Sequence, residues 1–150
     1  MDAITRYLPG FSSYRAEQKR RDDDVAVRKF LAERLQECKR DLQSFLAPLV
    51  DQANFAAISQ GEKLRTSIEN AQSKIRSAVE GYSSWFESTK IDEAKLKQVL
   101  DLDNDLVGVV DRLQNEISKL VAASPKFEDA QAIVSVLKER FSRRSEILSR

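Results

Sequence analysis

The apolar residues of this chain recur at spacings of three and four residues, in four separate stripes. The stripes are Leu31, Leu35, Cys38, Leu42, Phe45, Leu49, Ala53 and Ala56; Leu64, Ile68, Ala71, Ile75, Ala78, Tyr82 and Trp85; Val99, Leu102, Leu106, Val109, Leu113, Ile117 and Leu120; and Phe127, Ala130, Val134, Leu137, Phe141 and Leu148. This spacing puts each stripe on one face of a helix and is typical of coiled-coil-like helical bundles. No useful length of the chain alternates with the period of a strand. The sequence therefore predicts an all-α protein.

Capping residues divide the chain into four predicted helices. Ser59 and Glu62, in the stretch SQGE, have the spacing of a capping box, and Asp92 is placed to cap the next helix. Ser124 followed by Pro125 is the pattern of a cap with proline at the first helical position, where its missing N–H is not needed. The predicted helices span about residues 22–57, 60–88, 92–123 and 125–148.

Pro48 lies inside the first predicted helix. Proline removes one backbone hydrogen bond and crowds the preceding turn, which kinks or breaks a helix. Because the apolar stripe keeps its phase from Phe45 to Leu49, we expect a kink at Pro48. The phase slips by one residue between Ala56 and Leu64, which predicts a chain reversal near residues 58–61. Short connections between long helices favour antiparallel neighbours. The predicted fold is an antiparallel up-down four-helix bundle with long helices and a partly ordered N-terminal tail.

The length and composition of the chain fit a single globular domain. Its 150 residues can bury a hydrophobic core, and 41% hydrophobic with 33% charged residues is typical of neither disordered nor membrane-embedded chains. Four glycines and three prolines are too few for a turn-rich all-β domain. We therefore expect one helical domain over residues 15–150, preceded by a tail over residues 1–14.

The tail over residues 1–14 holds an apolar cluster that a continuous helix would not align. Its members are Ile4, Tyr7, Leu8, Phe11 and Tyr14. Pro9 and Gly10 interrupt the cluster, and a proline biases the residue before it towards an extended conformation. Three interpretations stay open: the tail folds back on the bundle, it is mobile, or it docks on a partner or a membrane surface.

Aromatic residues are expected to meet at one end of the bundle. In the predicted topology the stretch GYSSWF at 81–86 lies beside Phe30 and Phe141, and the aromatic residues of the tail can cover the same end. Such residues either fill a core layer or form a partner-binding surface. The candidate partner-binding residues at this end are Tyr7, Phe11, Tyr14, Trp85 and Phe86.

Positive charge is concentrated near the C-terminus, although the chain is almost neutral. The net charge is +1, from 25 basic and 24 acidic residues, and no glycine-rich phosphate loop is present, so the sequence does not indicate nucleic-acid binding. Arg140, Arg143 and Arg144 either complement the end of the last helix or form a basic patch for phosphate, an acidic protein or anionic lipid. Residues 15–24, RAEQKRRDDD, are predicted to form a solvated start of the first helix.

The stretch DLDNDLVG at 101–108 resembles the start of a calcium-binding loop. Its three aspartates match the first, third and fifth positions of an EF-hand loop, but Leu106 replaces the glycine at the sixth and Arg112 the glutamate at the twelfth. Leu106 and Val109 also continue the third apolar stripe without a break. We therefore predict a helix without a metal, in which Asp101 and Asp105 share an exposed acidic face and Gly108 is a weak point or a close helix contact.

The sequence offers little material for catalysis. Histidine is absent, which excludes a histidine ligand, general base or phospho-acceptor. The one cysteine, Cys38, falls on an apolar stripe, so we predict a buried, unreactive thiol; a single cysteine also fits a reducing compartment. The start of the chain lacks the pattern of a signal peptide, and no apolar stretch is long enough to span a membrane. We expect a soluble cytoplasmic protein without enzymatic activity, cofactor or metal.

Two main functional hypotheses follow from these features. The first is a non-enzymatic module for protein–protein interaction or scaffolding, with a protein partner or self-association. The second is peripheral binding of an anionic membrane surface or a phosphate-bearing partner through Lys138, Arg140, Arg143 and Arg144. A small-molecule role would need a cavity near the aromatic end, around Trp85.

Overall fold

The computed structural model describes residues 3–78, 83–87 and 92–149, and within these ranges the chain is all-helical, without a strand. The helices are α1 (Ala3–Tyr7), α2 (Arg20–Asp51), α3 (Phe55–Arg76), α4 (Ser83–Glu87), α5 (Glu93–Ser118) and α6 (Glu128–Leu148). A single 3-10 turn, Glu17–Lys19, leads directly into α2. In the described ranges, none of the helices combines the length and the apolar character that crossing a lipid bilayer requires.

The four predicted stripes supply the hydrophobic core. Most of their members are buried, among them Leu35 of α2, Ile68 of α3, Leu106 of α5 and Leu137 of α6, none of which exposes any surface. Burying one such side chain stabilises the fold by about 1.5–3 kcal/mol relative to leaving it in water. The spacing of apolar residues therefore identified both the helices and the faces on which they pack.

Each long helix packs against two of the others. α2 packs on α3 and α5, and α6 packs on α5 and α3. Between α2 and α3, the Gln72 side-chain amide donates to the Ala32 carbonyl at 2.9 Å. Between α2 and α5, Arg34 lies 2.5 Å from the Asp111 carboxylate. These contacts join all four long helices around a shared core.

The reversal between α2 and α3 lies earlier than predicted. α2 continues through Pro48 and ends at Asp51, and the chain turns over residues 52–54 instead of 58–61. Ala53 takes the left-handed backbone conformation with a φ of 53°, and the Asn54 side chain caps α3 by accepting from the Ala57 N–H at 3.3 Å. An asparagine cap satisfies an orphan N–H at a helix start. The SQGE stretch at 59–62 is therefore inside α3, and its interpretation as a capping box is wrong.

Two further helix ends were tested by the structure, with different outcomes. Asp92 caps α5 as predicted, because its Oδ1 accepts from the Lys95 N–H at 3.1 Å. The predicted cap at Ser124 and Pro125 is wrong, since α5 ends at Ser118 and α6 begins only at Glu128. The buried Phe127 ring packs edge-on against Phe45 at 6.2 Å and fixes where α6 starts. Burial of a phenylalanine outweighed a favourable capping pattern.

The second predicted helix is divided in the structure. α3 ends at Arg76, and α4 is a separate short helix. The Arg28 guanidinium donates to the Arg76 carbonyl at 2.8 Å and to the Ile75 carbonyl at 3.3 Å, which satisfies two of the orphan carbonyls at the end of α3. Tyr82, which was predicted to belong to the same apolar stripe, lies outside the described residues.

The N-terminal segment folds back on the long helices. Ile4 is completely buried, and its N–H donates to the Asn104 side chain of α5 at 3.0 Å. The Tyr7 ring stacks on Phe30 of α2 with 5.0 Å between the ring centroids. Of the three interpretations of the tail, the structure has the one in which it packs on the helices.

Candidate functional site

The most unusual feature of the structure is a set of charged side chains buried together, which we name the buried charge network. Its members are Tyr14, Arg20, Asp23, Asp24, Arg28, Asp103 and Arg144. They come from the N-terminal segment, the start of α2, the middle of α5 and the end of α6. The three aspartates balance the three arginines, which is the condition under which buried charges are tolerated.

Arg144 is the centre of the network and exposes no surface. Its Nε donates to Asp103 Oδ1 at 2.6 Å, and its Nη2 forms an ion pair with Asp24 Oδ1 at 2.9 Å. The same Nη2 donates to the Tyr14 hydroxyl at 3.0 Å, and that hydroxyl donates in turn to Asp103 Oδ2. One guanidinium therefore links α2, α5 and the N-terminal segment to α6.

A second branch of the network extends along α2. The Nε of Arg28 donates to Asp24 Oδ2 at 2.9 Å, so Asp24 is shared between Arg28 and Arg144. Since Arg28 also binds the last carbonyls of α3, the network reaches all four long helices.

A third branch holds the N-terminal segment by its backbone. Asp23 Oδ1 accepts from the Ser12 N–H at 3.1 Å, while its Oδ2 accepts from the Tyr14 N–H at 3.0 Å and from the Ser12 hydroxyl. The Arg20 Nε donates to the Tyr14 carbonyl at 2.9 Å. The Tyr14 ring meets the Trp85 ring edge-on, with 5.7 Å between the centroids. The buried tyrosine is thus fixed at both its backbone and its hydroxyl.

Burial is the largest single influence on the pKa values of Asp103, Tyr14 and Arg144, and nearby charges oppose or add to it. Burial raises the pKa of the Asp103 carboxyl, although the Arg144 charge and the Tyr14 hydroxyl lower it in part. Burial also raises the pKa of Tyr14 well above its ordinary value, and the Asp103 charge raises it further. For Arg144, burial lowers the pKa but Asp103, Tyr14 and Asp24 together raise it well above its ordinary value. Tyr14 is therefore a neutral phenol and Arg144 a permanent cation at neutral pH.

The network was missed in the sequence, although a signal was present. Arg144 follows Phe141 by three residues and precedes Leu148 by four, so it occupies a position on the fourth stripe. Asp24 precedes Val27 by three residues and continues the first stripe towards its start. Charges of opposite sign at stripe positions of different helices are the pattern expected for a buried ion pair.

The structure brings some of the eight candidate partner-binding residues together, since Tyr14 contacts Phe11, Trp85 and Arg144, but it exposes few of them. Tyr14, Trp85, Phe86 and Arg144 are buried, Phe11 is half-buried, and Tyr7 is exposed while stacking on Phe30. Arg140 and Arg143 lie at the surface of α6. The prediction that Arg144 belongs to a basic surface patch is wrong, because its charge is fully enclosed by Asp24 and Asp103. The predicted solvated start of the first helix is also wrong at Arg20, Asp23 and Asp24, which are buried.

The remaining surface arginines of α6 are neutralised by nearby carboxylates. Arg140 forms ion pairs with Asp105 at 3.2 Å and with Glu139 at 3.5 Å. Arg143 forms an ion pair with Glu139. These pairs leave the α6 surface without a cluster of uncompensated positive charge around Arg140 and Arg143.

The aspartates of DLDNDLVG lie in α5, as predicted, and Asp101 and Asp105 are both exposed on it, which confirms the predicted acidic face. Asp101 forms an ion pair with Lys97 at 2.8 Å, and Asp105 pairs with Arg140. Asp103 lies away from this face and is buried in the network, a position that the sequence did not predict. In the described part of the chain, no three acidic or cysteine side chains are grouped to hold a metal ion.

The only thiol of the chain is buried, as predicted. Cys38 exposes no surface, and burial raises the pKa of its thiol to about 12. The thiolate is the reactive form of cysteine, so this side chain is chemically inert in the folded protein.

Comparison of the chain with protein-family profiles, with curated proteins and with solved structures finds no match. The role of the buried charge network is therefore inferred from the chemistry of its side chains. Arg144 pairs with Asp24 and Asp103, Arg28 pairs with Asp24, and the Tyr14 hydroxyl is held by both Asp103 and Arg144. This arrangement can fix the position of a chain segment on the helices.

Replacing Tyr14 with phenylalanine is expected to change how stability depends on alkaline pH. The folded-state pKa of Tyr14 is raised, so its contribution is fully present below the unfolded pKa of about 10 and is lost as pH rises through the folded pKa. Asp103 and Asp24 oppose ionisation of the phenol, while Arg144 stays charged. In urea unfolding, Y14F should be less stable than the wild type by about 1–3 kcal/mol near pH 8. That gap should narrow towards pH 11, and a gap that stays constant would contradict the expectation.

Proposed function

We propose that this chain is a non-enzymatic protein-interaction module that binds its partner through apolar side chains at the helix turns. The observation that carries the proposal is the exposure of Phe55, which begins α3 with 69% of its surface in solvent. Val50 and Val121, both 58% exposed, lie next to the α2–α3 turn and in the α5–α6 connection. The contact between Phe45 and Phe127 joins the end of α2 to the start of α6, which supports placing both turns at one end of the molecule.

The proposed architecture is two antiparallel helix hairpins, α2 with α3 and α5 with α6, packed side by side as a four-helix bundle. The contacts of Ala32 with Gln72 and of Leu46 with Gly61 support opposite directions for α2 and α3. For α5 and α6 the supporting ion pairs are Asp103 with Arg144 and Asp105 with Arg140. In this architecture both hairpin turns lie at one end, which we name the turn end, and the buried charge network lies near the other.

A rigid, exposed phenylalanine is well suited to bind a protein. Exposed apolar residues that cluster are a usual mark of interaction sites, and aromatic residues dominate the binding energy of many interfaces. Phe55 belongs to a helix whose start is fixed by the Asn54 cap, so little backbone freedom is lost on binding. A partner with an apolar pocket would bury Phe55, Val50 and Val121 together.

The second hypothesis from the sequence, binding of anionic lipid or phosphate through α6, has less support. Arg140 and Arg143 already have carboxylate partners, and Arg144 is buried. A ligand would have to compete with Asp105 and Glu139 for the two surface arginines. A cytoplasmic location remains part of the proposal and suits the single buried thiol of Cys38.

Replacing Phe55 with serine is expected to weaken binding of the native partner at least about tenfold, because the change removes a large apolar contact from the interface. The partner is first identified by co-purification at physiological salt, with light scattering to detect self-association. Its affinity for each variant is then measured by calorimetry. Stability should change little, since Phe55 buries little surface in the free protein.

Val25→Ser is the matched control. Val25 is an exposed apolar residue like Phe55, but it lies near the start of α2, away from the turn end. The control should bind like the wild type. Equal affinities for the Phe55 and Val25 variants would place the interface elsewhere. If the wild-type chain neither binds a partner nor self-associates, the proposal of an interaction module is wrong.

A further inference from the structure

We propose that residues 3–19 form a strap that closes over the buried charge network and opens as a unit, while the four long helices stay folded. Closed, the strap places the Tyr14 hydroxyl in contact with both Asp103 and Arg144, which also bind each other. Open, it withdraws Tyr14 and admits water to the charged side chains beneath. The inference concerns the network and does not depend on the proposed binding surface at the turn end.

The strap is held by few apolar contacts. Ile4 and Tyr14 are its only fully buried side chains among residues 4–19, whereas α2 buries eight apolar side chains. Leu8 and Phe11 are only partly buried against the core, and the exposed Tyr7 stacks on Phe30. The remaining attachments are polar, mainly the bonds of Asp23 to Ser12 and Tyr14 and the bond of Asn104 to Ile4. Water can replace such bonds once the strap moves. Segments with few buried apolar contacts open at much lower free energy than a helical core.

The closed strap also holds strained backbone. Ser13 and Tyr14 are consecutive and have φ values of 55° and 64°, in the left-handed region that residues other than glycine rarely adopt. Such conformations persist only where surrounding contacts impose them. Here the contacts are those of Asp23, Asp103 and Arg144 with the segment around Tyr14. Opening of the strap releases this strain. The released strain offsets part of the free energy that is lost with the hydrogen bonds.

The last five residues of the strap can adopt a second conformation. Residues 15–19, RAEQK, are all good helix formers and directly precede α2. In the closed state they do not form an α-helix: Ala16 is extended, and Glu17–Lys19 is a 3-10 turn. Once Tyr14 is released, these residues can extend α2 by about one turn, and Glu17 and Arg21 then have the spacing of a favourable pair. The open state therefore begins α2 near Arg15.

A negative charge added at Ser12 would weaken the attachment of the strap to Asp23. The Ser12 hydroxyl and N–H both donate to the Asp23 carboxylate. An aspartate at this position would face Asp23 with a like charge and could no longer donate from its side chain. Ser12→Asp therefore favours the open state, and Ser12→Asn is a neutral control of similar size.

Native-state hydrogen exchange on the full chain tests the strap. Two openings are compared by their populations. The opening that exposes the Ser12 and Tyr14 amides should be at least about a hundredfold more populated than the opening that exposes the core amides of Leu35, Ile68 and Leu106. Tyr14→Phe should raise the population of that strap opening about ten- to hundredfold, since it leaves Asp103 and Arg144 without the hydroxyl. Ser12→Asp should raise it more than Ser12→Asn does. Tyr7→Phe is the matched control, because it keeps the ring stacked on Phe30, and it should change nothing.

Two results would overturn the proposal. In the first, the Ser12 and Tyr14 amides exchange only together with the core amides, in the wild type and in both Tyr14→Phe and Ser12→Asp. In the second, the 13Cα chemical shifts of residues 15–19 in Ser12→Asp move towards disordered values as the strap opens. Helical shifts over residues 15–19, together with separate exchange of the strap amides, would establish the two states.

Discussion

Replacing Arg144 with methionine is expected to lower the free energy of unfolding at neutral pH by about 3–5 kcal/mol, the usual cost of breaking a buried ion pair from one side. Methionine has a similar length and fills much of the same space, so the loss comes mainly from charge. Asp103 would keep only the Tyr14 hydroxyl, and Asp24 only Arg28. Urea unfolding followed by circular dichroism measures the change.

Arg143→Met is the matched control, because Arg143 is one residue away on the same helix but exposed and paired with Glu139. Its cost should stay below about 1 kcal/mol, as for other surface ion pairs. A loss in Arg144→Met no greater than that of the control would mean that the network does not hold the fold.

The pH dependence of the Arg144 variant separates lost charge from lost packing. Burial raises the pKa of Asp103, and without the Arg144 charge this pKa rises further. A raised folded-state pKa means that protonation stabilises the folded protein, so the contribution is present at low pH and is lost as pH rises through that pKa. Arg144→Met should therefore recover part of its lost stability as pH falls from neutrality towards the ordinary carboxyl pKa of about 4. A variant that only left a cavity would show no such recovery.

The core of this protein could be predicted from sequence because hydrophobic spacing is a local property. Leu35, Ile68, Leu106 and Leu137 each belong to a stripe that one helix defines by itself, and all four are buried. The capping prediction at Asp92 succeeded for the same reason, since the accepting Asp92 carboxylate and the donating Lys95 N–H lie three residues apart. Features that depend on one helix alone can therefore be predicted from the residues of that helix.

Two other helix ends were mispredicted for different reasons. α6 starts without a side-chain cap, and Phe127 at its first boundary packs on Phe45, a residue of another helix. There tertiary packing outweighed a capping preference that is worth only about 1 kcal/mol. α3 starts at the Asn54 cap, a local signal that competes with the SQGE pattern, after a turn in which Ala53 takes the left-handed conformation.

The buried charge network could not be derived from any one segment. Asp24, Asp103 and Arg144 each resemble solvated residues within their own helices, and only their mutual arrangement makes burial tolerable. Their positions on the stripes were visible, but which charge meets which depends on how α2, α5 and α6 pack. The site therefore required the fold to be known first.

Replacing Gly61 with leucine is expected to lower the free energy of unfolding by about 2–3 kcal/mol through overpacking. Gly61 is buried inside α3, and a Cβ built there would lie 2.8 Å from Leu46 Cδ1 and 3.1 Å from Leu46 Cγ. Leucine is a good helix former, so the loss reports the close approach of α2 and α3 and not helix propensity. Thermal and urea unfolding measure it.

Gly108→Ala is the contrasting variant and should raise the free energy of unfolding by about 0.5–1 kcal/mol. Gly108 is an exposed residue inside α5, and a Cβ built there has no atom within 4 Å, so the side chain meets no neighbour and only the helix propensity changes. Of the two interpretations of this glycine, the structure therefore supports the weak point.

If Gly61→Leu were as stable as the wild type, the contact with Leu46 could yield without cost, and α2 and α3 would not be held at a fixed distance.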